Sequence, residues 1–215
     1  MLPQDHPDWL QINECQRVLT KAKSNVVWEI LRQSDPFTQW SHYPKGDVSD
    51  HTTHSQYFYH AHPAAVAENA RDHENGHFHL FLRKKGIPEQ IQPKYINLSQ
   101  RPEGSKEEDI CHLIAISMDK HGNPVSLFTT NRWVTGETWY SAADVIQLID
   151  YFNIDHSYPS WPLNLWLSSI VRVYRDEIIA LIHQRDQKIE AWQAQYPEKN
   201  AYEDRRLEVT STLVL

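Results

Sequence analysis

A chain of 215 residues with 21 Lys and Arg against 28 Asp and Glu, a formal net charge of −7, has no basic surplus to lay along a phosphate backbone, which argues against nucleic-acid binding. Hydrophobic residues make up 40% and charged residues 23%, ordinary globular usage, and the longest apolar stretches fall far short of the roughly 20 residues that span a bilayer. Cys15 and Cys111 cannot build a disulfide scaffold, and Met1 to His6 shows no basic patch leading into an apolar run, so a cytoplasmic protein with two reduced thiols is expected.

Trp9, Ile12, Val18, Leu19, Val26, Val27, Ile30 and Leu31 recur at helical intervals and predict one helix over residues 7–33, closed by Asp35-Pro36. Residues 40–50, with Pro44 and Gly46, read as loop. The aromatic SQYFYHAH at 55–62 reads as a strand, and 63–73 as a short helix stopped by the left-handed tolerance of Asn75-Gly76. Residues 77–83 alternate as a strand with Phe78, Leu80 and Leu82 on one face. The segment 84–108, punctuated by Gly86, Pro88, Pro93, Pro102 and Gly104, reads as an irregular connection with room for a short strand at 95–98.

Residues 110–118 and 125–131 are the two strands of a hairpin. Ser141 and Asp144 form a capping box that opens a helix through Phe152. Ser160-Trp161-Pro162 opens a long helix running to about Gln195. Leu207, Val209, Ser211, Leu213 and Leu215 alternate in a terminal strand, which could lie at a sheet edge and pair with another subunit in a homo-oligomer. Helices at both ends and strands without crossover helices predict an α+β fold: an antiparallel sheet with helices from the N- and C-terminal parts on one face. We expect one domain over 1–215, with an N-terminal helical segment at 7–33 and the main body at 40–215. No glycine-rich strand–turn–helix for nucleotide phosphates is present.

Of 13 histidines, eight fall between positions 42 and 79: His42, His51, His54, His60, His62, His73, His77 and His79. His60 and His62, like His77 and His79, are two residues apart, which on a strand puts both rings on one face. These four are candidate metal ligands, and His112, which strict alternation places with Ile114, Ile116 and Met118, is a fifth from beneath. Neutral imidazoles suit a divalent transition metal, zinc or iron ahead of copper, over magnesium or calcium. With an open position such an ion activates water or O₂, so a hydrolytic or O₂-dependent metalloenzyme is the leading expectation, with Glu74 as carboxylate ligand or general base. The plainer alternatives are strand histidines bonded to tyrosines and aspartates, or metal-free acid–base chemistry.

Two partial motifs overlap this segment. His73-Glu74-Asn75-Gly76-His77 fits the His-Glu-x-x-His zinc-peptidase pattern, yet that chemistry needs a continuous helix, and Leu80 and Arg83 stand where the metzincin extension requires Gly and His. His77-Phe78-His79-Leu80-Phe81 resembles the histidine-triad nucleotide hydrolases and transferases, with Phe81 in place of the third histidine. After the hairpin, Arg132 and Glu137 stand among polar and aromatic residues of the kind that rim a pocket. Arg132 would hold a ligand carboxylate or phosphate, or Glu137 itself, and both are candidate catalytic residues. A non-catalytic module that binds a small molecule or partner, its pocket lined by Tyr57, Tyr59, Trp133, Trp139 and Tyr140, is the rival from another class.

ENGHFHLFLR (Glu74 to Arg83), LFTTNRWVTGETWY (Leu127 to Tyr140) and PSWPLNLWLS (Pro159 to Ser168) together resemble a family of bacterial proteins known as a domain of unknown function, from about Trp40 to the C-terminus. The resemblance implies a bacterial, cytoplasmic setting and one domain over most of the chain. It carries no activity to transfer.

Overall fold

The computed structural model describes residues 3, 5–32, 34, 37–61, 74–96 and 110–215. The expected first helix is two: α1 (Pro7–Lys21) and α2 (Val26–Leu31). The break has a local cause. Lys23 takes a positive φ of 56°, and the Asn25 side chain caps α2 by accepting the Trp28 amide. Gly122 packs against this cap, at a φ of +83° and with Asn25 atoms 2.8–3.0 Å from where a Cβ would stand. Only glycine meets both demands.

Residues expected as loop form a strand, β1 (Tyr43–Ser49). Its Pro44 and Gly46 are tolerated because β1 is an edge strand and its register shifts between Tyr43 and Val48. Then come β2 (Ser55–His60), β3 (Gly76–Arg83), β4 (Ile110–Met118) and β5 (Pro124–Thr130). The predicted helix at 63–73 and the residues beyond Ile96 of the predicted strand at 95–98 lie outside the described residues; Tyr95 itself makes one bridge, to Trp139. After β5 come α3 (Arg132–Thr135), α4 (Ala142–Ile149), α5 (Trp161–Val173), α6 (Arg175–Gln195) and β6 (Val209–Val214). The α4 cap is as predicted, with the Ser141 hydroxyl accepting the Asp144 amide.

The long C-terminal helix breaks at Tyr174, which leaves helical geometry (φ −98°, ψ 21°) and sets its ring edge-to-face on Trp9 at 5.7 Å. No proline or glycine marks that position; the cause is a tertiary contact with α1.

The fold is α+β. Six strands lie in sequence order, each antiparallel to the next. Tyr57, Tyr59, Phe78, Leu80, Leu82, Ile114, Ile116 and Leu127 belong to the same buried cluster as Ile12, Leu19 and Ile30 of α1 and α2, and Trp166, Ile170 and Ile182 of α5 and α6. Helices from both ends of the chain thus bury one face of the sheet. Trp139, Ile189, Ala201 and Leu207 make a second, smaller cluster. Among the described residues no helix is long and apolar enough to cross a membrane.

Candidate functional site

Burying the aromatic and aliphatic set under the helices leaves the alternate residues on the opposite face. The register arranges them in rows. His60 pairs with His77 and His77 with Ser117; Phe58 pairs with His79, His79 with Ala115 and Ala115 with Phe128; Gln56 pairs with Phe81 and Phe81 with His112.

His112 belongs to this face, and not to that of Ile114 and Ile116 as simple alternation predicted. Leu80 pairs with Ile114 but Phe81 pairs with His112, so Leu113 is an extra residue, a β-bulge that reverses the parity of β4 beyond it. The ring arrives beside His79, with His79 Nδ1 and His112 Nε2 3.1 Å apart, one donating and the other accepting.

Four imidazoles therefore adjoin. Ring centroids are 4.8 Å apart for His60 and His77, 4.8 Å for His77 and His79, and 5.0 Å for His79 and His112. His77, His79 and His112 are buried. Burial, then the neighbouring imidazoles, holds His79 well below the ordinary histidine range, and burial, then Arg185 and His77, pushes His112 down to about 3. Both rings are neutral at physiological pH.

Glu74 supports this array. Its Oε1 lies 2.5 Å from His77 Nδ1, and its Oε2 accepts the Ser117 hydroxyl at 3.1 Å. A carboxylate is acceptor-only, so an ionised Glu74 places a His77 proton on Nδ1. Of the His-Glu-x-x-His pattern, Glu74 and Asn75 are not helical and His77 lies on β3; His73 lies outside the described residues, as does His62, the remaining predicted ligand. Gly76 opens β3 and is not the left-handed helix stop expected of it. Glycine is required there because a Cβ would meet the His60 carbonyl oxygen and the Tyr59 hydroxyl, each at 2.6 Å. Among the described residues, no group of three or more His, Cys, Asp or Glu side chains stands as it is in a geometry that would hold a metal ion.

Arg132 reaches both Glu203 and the Glu137 backbone. Its Nε lies 2.6 Å from Glu203 Oε1, and its Nη1 donates to the backbone carbonyl of Glu137 at 3.2 Å. Glu203 sits on a 3-10 turn, Ala201–Glu203, which Asn131 anchors by donating to the Ala201 carbonyl. Nothing in local sequence connects positions 132 and 203. The Glu137 carboxylate turns to β4 and accepts the His112 amide at 2.7 Å. Burial pushes this carboxyl up to about 7 against the opposing pull of Arg185, the His112 amide and Arg132.

The aromatic residues predicted to line a single pocket divide between two buried clusters, with Trp133 donating its indole N–H to the Leu207 carbonyl of the second. Tyr57, Tyr59 and Tyr140 are in the helix-covered core and Trp139 is in the second cluster. Three contributors on the histidine face were not among the predicted ligands or catalytic residues. Ser117 reaches Glu74, Thr130 Oγ1 lies 3.5 Å from His112 Nδ1, and His42 stacks on Phe58 at 3.6 Å while its Nδ1 contacts Asp47. Alternation along β4 would have found Ser117, but His42 required knowing that β1 is a strand.

These features define an α+β protein whose antiparallel sheet carries helices on one face and a histidine- and phenylalanine-bearing surface on the other. The chain belongs to the family described as Domain of unknown function (DUF6969), whose profile matches residues 8–215. The match takes in α1 and α2, well upstream of the Trp40 boundary of the sequence resemblance. Comparison with curated proteins and with solved structures finds no match to the chain.

Proposed function

We propose that this protein binds a divalent transition metal on its histidine face, with His77 and His79 central, His60 and His112 flanking them, and Glu74 fixing the tautomer of His77. The supporting observation is the run of four adjoining imidazoles drawn from three neighbouring strands. Within it, His79 Nδ1 and His112 Nε2 are 3.1 Å apart. Two nitrogens on one tetrahedral zinc stand about 3.3 Å apart, so an ion can replace their shared proton at nearly this separation once each ring tilts to aim its lone pair at the metal. The neutrality of His79 and His112 and the carboxylate on His77 Nδ1 are the protonation state and outer-shell support that imidazole ligands use. An ion held by fewer protein donors than its coordination number keeps a position for water or O₂, which a hydrolytic or O₂-dependent reaction requires.

The test is metal analysis of tag-free protein purified without chelator, followed by Co(II) titration of the metal-free form. Stoichiometric metal, visible d–d absorption and a rise in Tm are expected, all lost in His77→Ala/His79→Ala while the fold persists. Metal at blank level with neither Co(II) absorption nor a Tm response would sink the proposal.

A binding module is the second reading, and one observation favours it. A groove of about 450 Å³, lined by Lys94, Ile189, Glu190, Gln193, Ala194, Pro197 and Tyr202, is within the size range of small-molecule sites. A module of that kind keeps its ligand affinity in His77→Ala/His79→Ala.

A further inference from the structure

The histidine face depends on a device at its far row. The β4–β5 ladder runs from Met118 opposite Pro124 to Ala115 opposite Phe128 and stops. Beyond that point Thr129 and Thr130 pair with β6, and β4 continues towards Ile110 without β5. Residues 137–138 run alongside it instead. The Thr138 amide donates to the Ile110 carbonyl at 2.9 Å, and Glu137 Oε2 accepts the His112 amide at 2.7 Å. Between this clamp and the regular ladder sits Leu113, the bulge residue that decides which face His112 occupies.

Glu137 is 1% exposed, too buried to serve as an outward-facing acid or base. Its backbone is held in turn, because Arg132 donates to the Glu137 carbonyl and is itself tied to Glu203. A buried carboxylate is an expensive choice where a strand neighbour's carbonyl would ordinarily serve. What it supplies is a strong acceptor at one amide, at the position where the strand must change parity.

We propose that Glu137 is a positioning residue for the imidazole cluster: by accepting the His112 amide where β4 parts from β5, it fixes the bulge at Leu113 and turns the His112 ring to His79. The consequence for metal affinity rests on the metal-binding proposal. The positioning itself is read on metal-free protein, so the two stand or fall separately.

The experiment compares wild type, Glu137→Met and Glu137→Gln by long-range ¹H–¹⁵N spectra of the imidazoles in metal-free protein at pH 8.5, then by Co(II) titration. In wild type the His79 and His112 rings hold fixed tautomers that share a proton. Glu137→Met, folded by circular dichroism, is expected to release that pairing, average the His112 tautomers and weaken Co(II) binding by at least about tenfold, as loss of an outer-shell partner does. Glu137→Gln keeps an oxygen acceptor, so it retains the tautomers and comes within a few-fold of wild-type affinity, while the His112 amide proton moves upfield because its acceptor is neutral.

Unchanged His79 and His112 ring signals in folded Glu137→Met overturn the proposal. If Glu137→Met does not fold, the glutamine variant decides, and an unmoved His112 amide proton overturns it. If wild type takes up no Co(II), the metal reading falls and the metal-free spectra still judge Glu137.

Discussion

Replacing Gly76 with alanine tests whether the close approach of β2 and β3 is a structural necessity. A Cβ at this position stands 2.6 Å from the His60 carbonyl oxygen, 2.6 Å from the Tyr59 hydroxyl and 2.7 Å from Tyr59 Cζ, each roughly an ångström inside van der Waals contact. Two of these atoms belong to one fully buried ring, and the third is backbone. The Tyr59 hydroxyl also donates to Asn75 Oδ1 at 2.8 Å, so moving the ring endangers that bond as well. Glycine to alanine within a strand otherwise gains roughly 0.5–1 kcal/mol. Overpacking costs about 1–3 kcal/mol and the hydrogen bond about 1 more, so a net loss of about 1–3 kcal/mol is expected. In a chain of this size each kcal/mol lowers Tm by roughly 2–4 °C. Urea unfolding of wild type, Gly76→Ala, Tyr59→Leu and Tyr59→Leu/Gly76→Ala measures it. The double variant removes the hydroxyl and ring contacts and is expected to cost less than the sum of the two single changes. Gly76→Ala as stable as wild type would refute the steric account.

Asp50 holds the β1–β2 turn to the segment before α5. Its Oδ1 accepts the Thr52 and Thr53 amides and its Oδ2 the Asp155 amide at 2.7 Å. Burial pushes this carboxyl up, but the amides of Thr53, Asp155 and Thr52 together outweigh it and hold it below the usual range. A depressed folded pKa means stability that is present above the unfolded value of about 3.9 and lost as pH falls through the folded value. Asp50→Asn is therefore expected to lose about 1–3 kcal/mol at pH 7, and its urea midpoint should fall less than that of wild type on acidification; parallel pH profiles would refute this. Glu203→Ala strips a carboxylate from the buried Arg132 and is expected to cost about 3 kcal/mol, whereas Arg132→Met/Glu203→Leu costs much less; equal losses in urea would exclude a desolvated ion pair. Burial raises the Cys15 thiol to about 11 and Cys111 well above its ordinary value, so a disulfide reagent at pH 8 should label neither until denaturant is added. Rapid labelling of native protein would place either thiol outside the core.

Where the chain's structure follows local chemistry, sequence reasoning reached it. The alternation of Phe78, Leu80 and Leu82 against His77 and His79, the hairpin of β4 and β5, and the Ser141 cap are all set by neighbouring residues. The errors have tertiary causes. Tyr174 interrupts a helical stripe to reach Trp9, and β1 looks like loop because Pro44 and Gly46 are acceptable only at an edge, a status that depends on the whole sheet. The Glu203 partner of Arg132 comes from a turn 71 positions away along the chain. Parity failed in the same manner: one extra residue at Leu113 moved His112 from the helix-covered face to the histidine face, and bulges leave no local signature in a strand of good β-formers.

The histidine face also poses an energetic question that packing alone does not answer. Phe58, Phe81 and Phe128 show that this surface accepts apolar rings, which need no partners. Each imidazole placed among them brings an N–H and a lone pair that must be satisfied in a low dielectric. The molecule meets that demand with a second tier of polar groups: Glu74 on His77, Ser117 on Glu74, His79 and His112 on each other, Thr130 at the outer nitrogen of His112. One member of the set reaches its place only through a bulge clamped by a buried carboxylate. A phenylalanine at position 79 or 112 would fill similar space without any of this. Replacing His79 and His112 together with phenylalanine, so that neither leaves the other's ring nitrogen unpaired, should therefore leave stability within about 1.5 kcal/mol of wild type while abolishing Co(II) uptake, a separation of stability from function that purely structural histidines cannot produce.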